Sequence, residues 1–357
     1  MKKSFIFATL AALLLFTSCG KEGIEPSASH AKKVSLEVTV DMHESAVTRA
    51  TGAVNTNATN NQSDSEKKIN NLQVFVFNGD VRDGYVIANA SGSASVSSAS
   101  VECTAGTRDV YCIANAPSAL GTIVSKTELL ATMSSLSNGS AGFEMIGFKA
   151  GQTITDGASV SVPVSRIASK IVIQAIKNSL RTGQDLQVTR VYITNVAGQF
   201  NYGLSEYAGA SSTWYNKGGY RAAAADNLGN YTQDVGLSAN VAGGASYSTN
   251  HYFYAYPNNN AQTDYTAAWA PRRTMLVVQI KVADKLYDYP IDLGVDLEAD
   301  KMYVIKSLEL KNLGNPDDGA EGGADEENPV EGSTVSVTID VEDWTVVNLG
   351  DGGNISV

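Results

Sequence analysis

Two stretches near opposite ends of the chain alternate strictly between apolar and polar residues, and this alternation constrains the fold most. Residues 34–42 read VSLEVTVDM and residues 335–342 read VSVTIDVE. A period of two places every apolar side chain on one face of an extended strand, so each stretch predicts a half-buried β-strand. The apolar residues are Val34, Leu36, Val38 and Val40 in the first stretch, and Val335, Val337, Ile339 and Val341 in the second. Strands of the same pattern are able to occupy the same groove.

The chain between these ends reads as a succession of short strands separated by turn residues. Strands are predicted at 72–77, 109–114, 160–164, 166–173, 188–196, 275–282, 286–291 and 302–310. One helix is predicted over 126–136, where Leu and Met recur at helical spacing. Many short strands with turns between them indicate an all-β protein built from β-sandwich domains.

Composition argues against several classes of function. The net charge of −11 argues against a protein that binds nucleic acid by neutralising phosphates. Three His and three Cys leave little material for a metal centre or a proton relay. Residues 138–142 lack the first Gly of a nucleophile elbow, and the chain has no P-loop or dinucleotide fingerprint. We therefore expect no catalytic residue, no cofactor and no metal site, and a protein that is not an enzyme.

The amino terminus has the form of an export signal. Lys2 and Lys3 precede an uncharged apolar run over residues 5–16, which is too short to span a bilayer as a helix. The sequence LFTSCG that follows resembles a lipobox, in which a signal peptidase cuts before Cys19 and the thiol receives a lipid. A plain secretory signal with an incidental Cys is the alternative. On the first interpretation the lipid is the membrane anchor.

A segment rich in Asn, Thr and Ser follows the first alternating strand. Arg49 is the only Lys or Arg between Lys33 and Lys67. An isolated Arg in an exposed loop of small residues is a favourable site for an arginine-specific protease, so cleavage between Arg49 and Ala50 is predicted.

Two cysteines flank a short turn. If the turn centres on Thr107 and Arg108, Cys103 and Cys112 lie opposite each other, and an oxidising compartment would permit a cross-strand disulfide. Two half-buried thiols are the equally weighted alternative.

The segment 312–332 carries seven acidic residues, no Lys or Arg, and several Gly. Its spacing matches no EF-hand loop. A solvated, self-repelling linker is the prediction.

Several of these motifs, taken in order, resemble the fimbrillin family, the type V pilus subunits of Bacteroidetes-like bacteria. The matching features are the lipobox, the strand before Thr48-Arg49, LQVFVF at 72–77, YCIANA at 111–116, RIASKI at 166–171, and the closing Val-rich strand with Trp344.

The resemblance implies two transthyretin-like β-sandwich domains with a short helix, and a lipoprotein precursor in the outer membrane. An arginine-specific protease then removes the lipidated segment with its first strand, and the carboxy-terminal strands of the next copy fill the groove. The implied partners are other copies of the chain, anchor and tip subunits, and the protease. The implied segments are a signal peptide 1–18, a lipidated propeptide 19–49, sandwiches 50–165 and 166–311, an acidic linker 312–332, and a donor-strand tail 333–357.

Other interpretations remain open. Both the Arg and the long tail favour a shaft subunit over an anchor or tip subunit. A monomeric surface lipoprotein that binds glycans would use the aromatic residues between Tyr192 and Trp269 as a stacking surface, although packing of strands and loops explains them more simply. A secreted glycan-processing enzyme would need a carboxylate pair in a cleft.

Overall fold

A computed structural model describes residues 32–42, 64–91, 95–136, 142–205, 213–217, 232–261, 269–317, 330 and 332–343. Contacts divide the chain into Met1–Lys32 and Lys33–Val357. Of the first unit only Lys32 is described.

The described elements before residue 167 are eight strands and two short helices. They are β1 Lys33–Met42, α1 Asp64–Lys67, β2 Asn71–Asn78, β3 Val81–Asn89, β4 Ser98–Thr104, β5 Gly106–Ala114, α2 Lys126–Ala131, β6 Met133–Ser135, β7 Met145–Ile154 and β8 Ala158–Arg166.

The described elements after residue 167 are all strands. They are β9 Ser169–Ile173, β10 Ile176–Asn178, β11 Leu186–Thr194, β12 Val196–Ala197, β13 Gln199–Asn201, β14 Trp214–Tyr215, β15 Gln233–Val241, β16 Ser246–Tyr247, β17 His251–Ala255, β18 Met275–Val282, β19 Lys285–Asp292, β20 Lys301–Leu310, β21 Asn315–Asp317 and β22 Val335–Asp343.

Seven of the early strands form one folded-over sheet in the order β3-β2-β5-β7-β8-β1-β4. The halves β3-β2-β5-β7 and β8-β1-β4 are joined only where Met145 and Ile146 pair with Arg166 and Ser165. The apolar faces of the two halves bury one another in a core of Val, Leu, Ile, Ala and Cys side chains. This is a β-sandwich, because each alternating strand can bury one face only against another sheet.

The later strands form two further sheets. One has the order β16-β10-β20-β9-β17, with β22 paired to the free side of β20, and the other has the order β15-β11-β18-β19-β21. Their apolar side chains share a second core, which also takes in α2 and the outer face of β2 and β5. The prediction of an all-β sandwich fold is thus confirmed, while the boundary between 50–165 and 166–311 stays a prediction.

The predicted helix over 126–136 is wrong in its second half. Ser125 caps α2, because its hydroxyl accepts a hydrogen bond from the Glu128 N–H at 3.1 Å. The helix ends at Ala131, and Met133–Ser135 form β6, which pairs with β13. Tertiary pairing with a strand about 65 residues away overrides the local helical spacing.

The predicted linker 312–332 contains a short strand near its start. Residues Asn315–Asp317 form β21 on the edge of β19, and the Val330 N–H donates to the Pro290 carbonyl at 2.9 Å. Residues 318–329 lie outside the described part of the chain. Within that part, no helix has the length and apolar character needed to cross a membrane.

Candidate functional site: the first strand and its groove

Strand β1 lies inside the first sheet and not at an edge. It pairs antiparallel with β4 over Lys33–Thr39 and parallel with β8 over Leu36–Met42. The main chain of β1 therefore satisfies two ladders at once, and loss of this strand would expose two unpaired edges facing each other across a gap.

The four alternating side chains of β1 are among the best buried in the protein. Val34 and Val40 are 4% and 5% exposed, and Leu36 and Val38 are fully buried. Burying a side chain of this kind stabilises by about 1.5–3 kcal/mol. A groove left by β1 would be lined by the apolar residues that now contact these four.

The polar contacts of β1 side chains lie at the surface. The Ser35 and Ser100 hydroxyls are 3.0 Å apart, and the Ser161 hydroxyl donates to the Asp41 carboxylate at 2.9 Å. No ion pair involving β1 is found among the described residues. Strand β1 is held by main-chain ladders and apolar packing, which any strand with the same alternation can supply.

The chain on the far side of the predicted cleavage site is anchored in a different way. Glu66 in α1 is buried, and the Lys170 ammonium lies 3.0 and 3.1 Å from its two carboxylate oxygens. The Tyr254 hydroxyl donates to the same carboxylate, and the Arg166 Nε donates to the Glu66 carbonyl at 3.1 Å. This anchor ties the chain after residue 63 to the later sheets without using β1. No pattern in the sequence predicts this anchor, because a four-residue helix carries no periodic signal.

The tail strand β22 lies on its own subunit in this structure. It pairs antiparallel with β20 from Val335 opposite Leu310 to Asp343 opposite Lys301. Val335 is buried, Val337 and Ile339 are half-buried, and Val341 is 52% exposed. The same alternation is therefore buried less completely here than it is in β1.

The cross-strand arrangement predicted for the two cysteines is not formed. Cys103 on β4 and Cys112 on β5 are both free and both buried. Strand β4 pairs with β1, whereas β5 pairs with β2 and β7, so the two cysteines belong to opposite halves of the sandwich. Burial raises the pKa of both thiols, that of Cys112 to about 12, which leaves them unreactive.

The aromatic residues considered for glycan stacking are largely part of the core where they are described. Tyr192 is fully buried and Trp214 is 1% exposed. The Trp214 and Trp269 rings meet edge to face at 5.8 Å, and the Trp269 indole N–H donates to Asn195 at 2.8 Å. No group of three or more potential metal ligands occurs among the described residues.

Several predicted site residues lie outside the described residues: Cys19, Arg49, Ala50 and Trp344. Apart from the two cysteines, the remaining ones fall into two places. Val34, Leu36, Val38 and Val40 line the first core, and Val335, Val337, Ile339 and Val341 lie along β20.

A family model confirms the resemblance drawn from the sequence. Residues 35–199 match the major fimbrial subunit protein (FimA) family, a range that includes β1 from Ser35 onward and the other strands of the first sandwich. No curated protein sequence matches the chain.

Solved structures share the fold over most of their length. A fimbrilin (FimA) from Porphyromonas gingivalis is 17% identical, with 88% of this chain and 98% of that chain covered and a TM-score of 0.57. A candidate cell adhesion protein from Parabacteroides distasonis is 17% identical, covering 89% and 99%, with a TM-score of 0.61. The tip fimbrial protein Mfa3 from Porphyromonas gingivalis, with a C-terminal truncation, is 12% identical, covering 88% and 100%, with a TM-score of 0.51.

Proposed function

We propose that this chain is a structural subunit of a type V pilus shaft, assembled by strand exchange after proteolysis and serving adhesion at the cell surface. The family match and the fimbrial neighbours support a pilus subunit with a role in adhesion. The observation that carries strand exchange is the unequal burial of two equivalent alternations, β1 in the core and β22 on β20.

The register of the exchange follows from the sequence. Placing Val335 at the position of Val34 brings Val337, Ile339 and Val341 to the positions of Leu36, Val38 and Val40. A shift of two residues in one direction would put Asp343 at the buried Val40 position, and a shift in the other would put Ser333 at the Val34 position. The matched register alone fills all four positions with apolar side chains, so burial selects it.

Deeper burial of its apolar side chains favours release of the tail from β20. Val341, which is 52% exposed on β20, would take the place of Val40, which is 5% exposed. Burying the unburied parts of Val337, Ile339 and Val341 in the groove adds stabilisation at about 25 cal/mol per Å² of apolar surface. The tail also gains two ladders in place of the single ladder that it makes with β20.

Export and maturation complete the proposal. Cys19 carries the lipid that holds the precursor in the outer membrane, and cleavage between Arg49 and Ala50 frees the segment containing β1. A Cys19→Ala precursor should fail to incorporate a fatty-acid probe, whereas an Arg49→Ala precursor should incorporate it and remain uncut. Labelling of the Cys19→Ala precursor would contradict lipidation at this residue.

A disulfide between copies tests the exchange directly. The Val40 N–H donates to the Ser97 carbonyl at 2.9 Å, so Thr39 and Ser98 form the closer, non-hydrogen-bonded pair of the β1–β4 ladder. In the matched register Asp340 of the next copy takes the place of Thr39. A chain with Ser98→Cys and Asp340→Cys should therefore form a ladder of multimers on a non-reducing gel after cleavage by an arginine-specific protease.

Two controls make the result specific. Either cysteine alone should give no ladder, and Arg49→Ala combined with both cysteines should stay monomeric because β1 still fills the groove. A cleaved double variant that stays monomeric would overturn strand exchange and leave a monomeric adhesin, with its tail on β20, as the better interpretation.

A further inference from the structure

An apolar pocket of about 400 Å³ lies on the face of the first sheet that points away from the first core. It crosses the junction of β7 and β8. Its lining includes Tyr111, Phe148, Pro163, Ser165, Tyr202 and Leu204. Phe148 is 57% exposed and Leu204 is 43% exposed, so two large apolar side chains border the pocket in contact with solvent.

The walls of the pocket are fixed by packing. The Tyr111 and Phe148 rings stack at 5.2 Å with an interplanar angle of 13°. The Tyr202 hydroxyl donates to the buried Glu144 carboxylate at 2.5 Å. A Cβ on Gly147 would lie 2.0 Å from the Pro163 carbonyl oxygen, so only Gly allows β7 and β8 to approach this closely.

The pocket lies next to the end of the β1 groove. Asp41 pairs with Pro163 and Met42 with Val164 in the parallel ladder. A strand that continues this register by one residue reaches Ser165, which lines the pocket. Because side chains alternate, that residue would point outward, on the same face as Pro163 and Ser165.

The tail presents an aromatic residue at this position. In the matched register, Trp344 falls one residue beyond the position of Met42. The residues on the outward face before it are all polar: Ser336, Thr338, Asp340 and Glu342. Trp344 therefore breaks the polar face of the tail strand at the point where the pocket begins.

We propose that Trp344 of one copy docks into this pocket on the next copy when the tail takes the place of β1. The proposal rests on the strand exchange proposed above and adds a specific anchor to it. A buried aromatic side chain removes about 150–250 Å² from water, and Trp is the residue type most enriched at the dominant contacts of interfaces. The pocket has the volume and the apolar lining to receive one such ring.

Photo-cross-linking from position 344 tests the docking. The unlabelled (light) chain carries benzoylphenylalanine in place of Trp344, together with the Ser98→Cys and Asp340→Cys changes. It is mixed with a ¹⁵N-labelled (heavy) chain that has the same two cysteines. The mixture is then cleaved by an arginine-specific protease and irradiated. We expect cross-links from the light residue 344 to heavy peptides that contain Phe148, Pro163 or Leu204. Cross-links to light peptides alone would mean that Trp344 binds its own chain and would overturn the proposal.

The disulfide ladder separates the two proposals. A ladder with cross-links to some other part of the neighbouring copy would refute docking and leave strand exchange intact. Absence of the ladder in the double-cysteine chain that retains Trp344 would refute both.

A pair of surface variants supplies a matched control. Leu204 in the pocket and Val235 on β15 are each 43% exposed, so replacement of either by Asp should leave the fold intact. Leu204→Asp should lower the yield of disulfide-linked multimers roughly tenfold, the effect of losing about 1.4 kcal/mol, while Val235→Asp should not change it. Equal yields from the two variants would overturn the proposal.

Discussion

At the scale of single residues, four charged side chains meet where the chain after the predicted cleavage site joins the later sheets. Glu66 pairs with Lys170, and the Arg166 Nη1 lies 3.3 Å from the Asp300 carboxylate. Burial disfavours the charged forms of the two basic side chains and lowers the pKa of Lys170 and of Arg166. Such a cluster is costly to break, because removal of one member leaves a buried charge without its partner.

Replacing Lys170 should therefore destabilise the subunit strongly. Lys170 is fully buried against Glu66, and we expect Lys170→Met to lower the free energy of unfolding by about 3–5 kcal/mol. The matched control is Lys177→Met, whose partner Glu309 is also 3.0 Å away but at the surface, with an expected loss of about 0–1 kcal/mol. Urea denaturation measures both, and similar losses would contradict the role of Lys170 as a buried anchor.

The pH dependence of stability should carry a contribution from Asp300. Burial raises the pKa of Asp300 from 3.8 to about 6, although Arg166 opposes the shift. The folded state then holds this proton more tightly than the unfolded state. The stabilisation that this protonation gives to the folded state is therefore complete below about pH 4 and is lost as the pH rises through 6. Asp300→Asn removes the titration. The unfolding free energy of this variant relative to wild type should increase between pH 4 and 6.5, and a constant difference would argue against the raised pKa.

At the scale of secondary structure elements, the proposed strand exchange depends on β1 and β22. They share an alternation, yet β1 is enclosed by β4 and β8 whereas β22 lies on one side of β20. Equivalent apolar side chains are thus buried more completely in β1 than in β22. A polar substitution can therefore be tolerated on the partly exposed face of β22 and yet be incompatible with the fully buried positions of β1.

Charges on the apolar face of the tail should separate folding from assembly. Val337 and Ile339 are half-buried on β20 but would occupy the fully buried positions of Leu36 and Val38 after exchange. Val337→Asp with Ile339→Asp should leave a folded, cleavable subunit that forms no fibres, because two carboxylates would enter an apolar groove. The control is Ser336→Asp with Thr338→Asp on the outward face, which should still assemble. Electron microscopy and circular dichroism measure the two outcomes, and fibres from the first variant would count against the register.

At the scale of the whole molecule, the chain carries two strands of the same alternation, β1 and β22, on opposite sides in sequence of the Glu66 cluster, which uses neither. Cleavage after Arg49 would separate β1 from the Glu66 cluster, since Met42 and Asp64 bound the segment that contains the cut. The sandwich would keep its other six strands and its link to the later sheets.

Maturation should leave a defined product. Mass spectrometry of protein recovered from fibres should find an amino terminus at Ala50 and a chain of 357 − 49 = 308 residues. Arg49→Lys, a substitution that keeps the charge, should be cut far less by an arginine-specific protease and should accumulate as precursor. A normal amino terminus in fibres of that variant would place the cleavage requirement elsewhere.

Local patterns in the sequence were sufficient for part of this description. The period-two alternation predicts β1 and β22, because the geometry of a strand fixes which side chains share a face whatever the strand packs against. The predicted strands at 275–282, 286–291 and 302–310 coincide with β18, β19 and β20 to within one residue, because apolar, β-branched and aromatic runs bounded by turn residues favour strands.

Contacts between residues distant in the chain decided the rest. Helix α2 ends early because β13 pairs with residues 133–135, and Cys103 and Cys112 separate because β4 and β5 turn into opposite halves of the sandwich. The Glu66–Lys170 pair joins residues 104 positions apart, and the pocket beside β8 is assembled from β5, β7, β8, α2 and the turn after β13. The sequence by itself determined the two alternating strands and their apolar faces. Only the tertiary structure decided their neighbours, because pairing depends on the burial that all the strands achieve together.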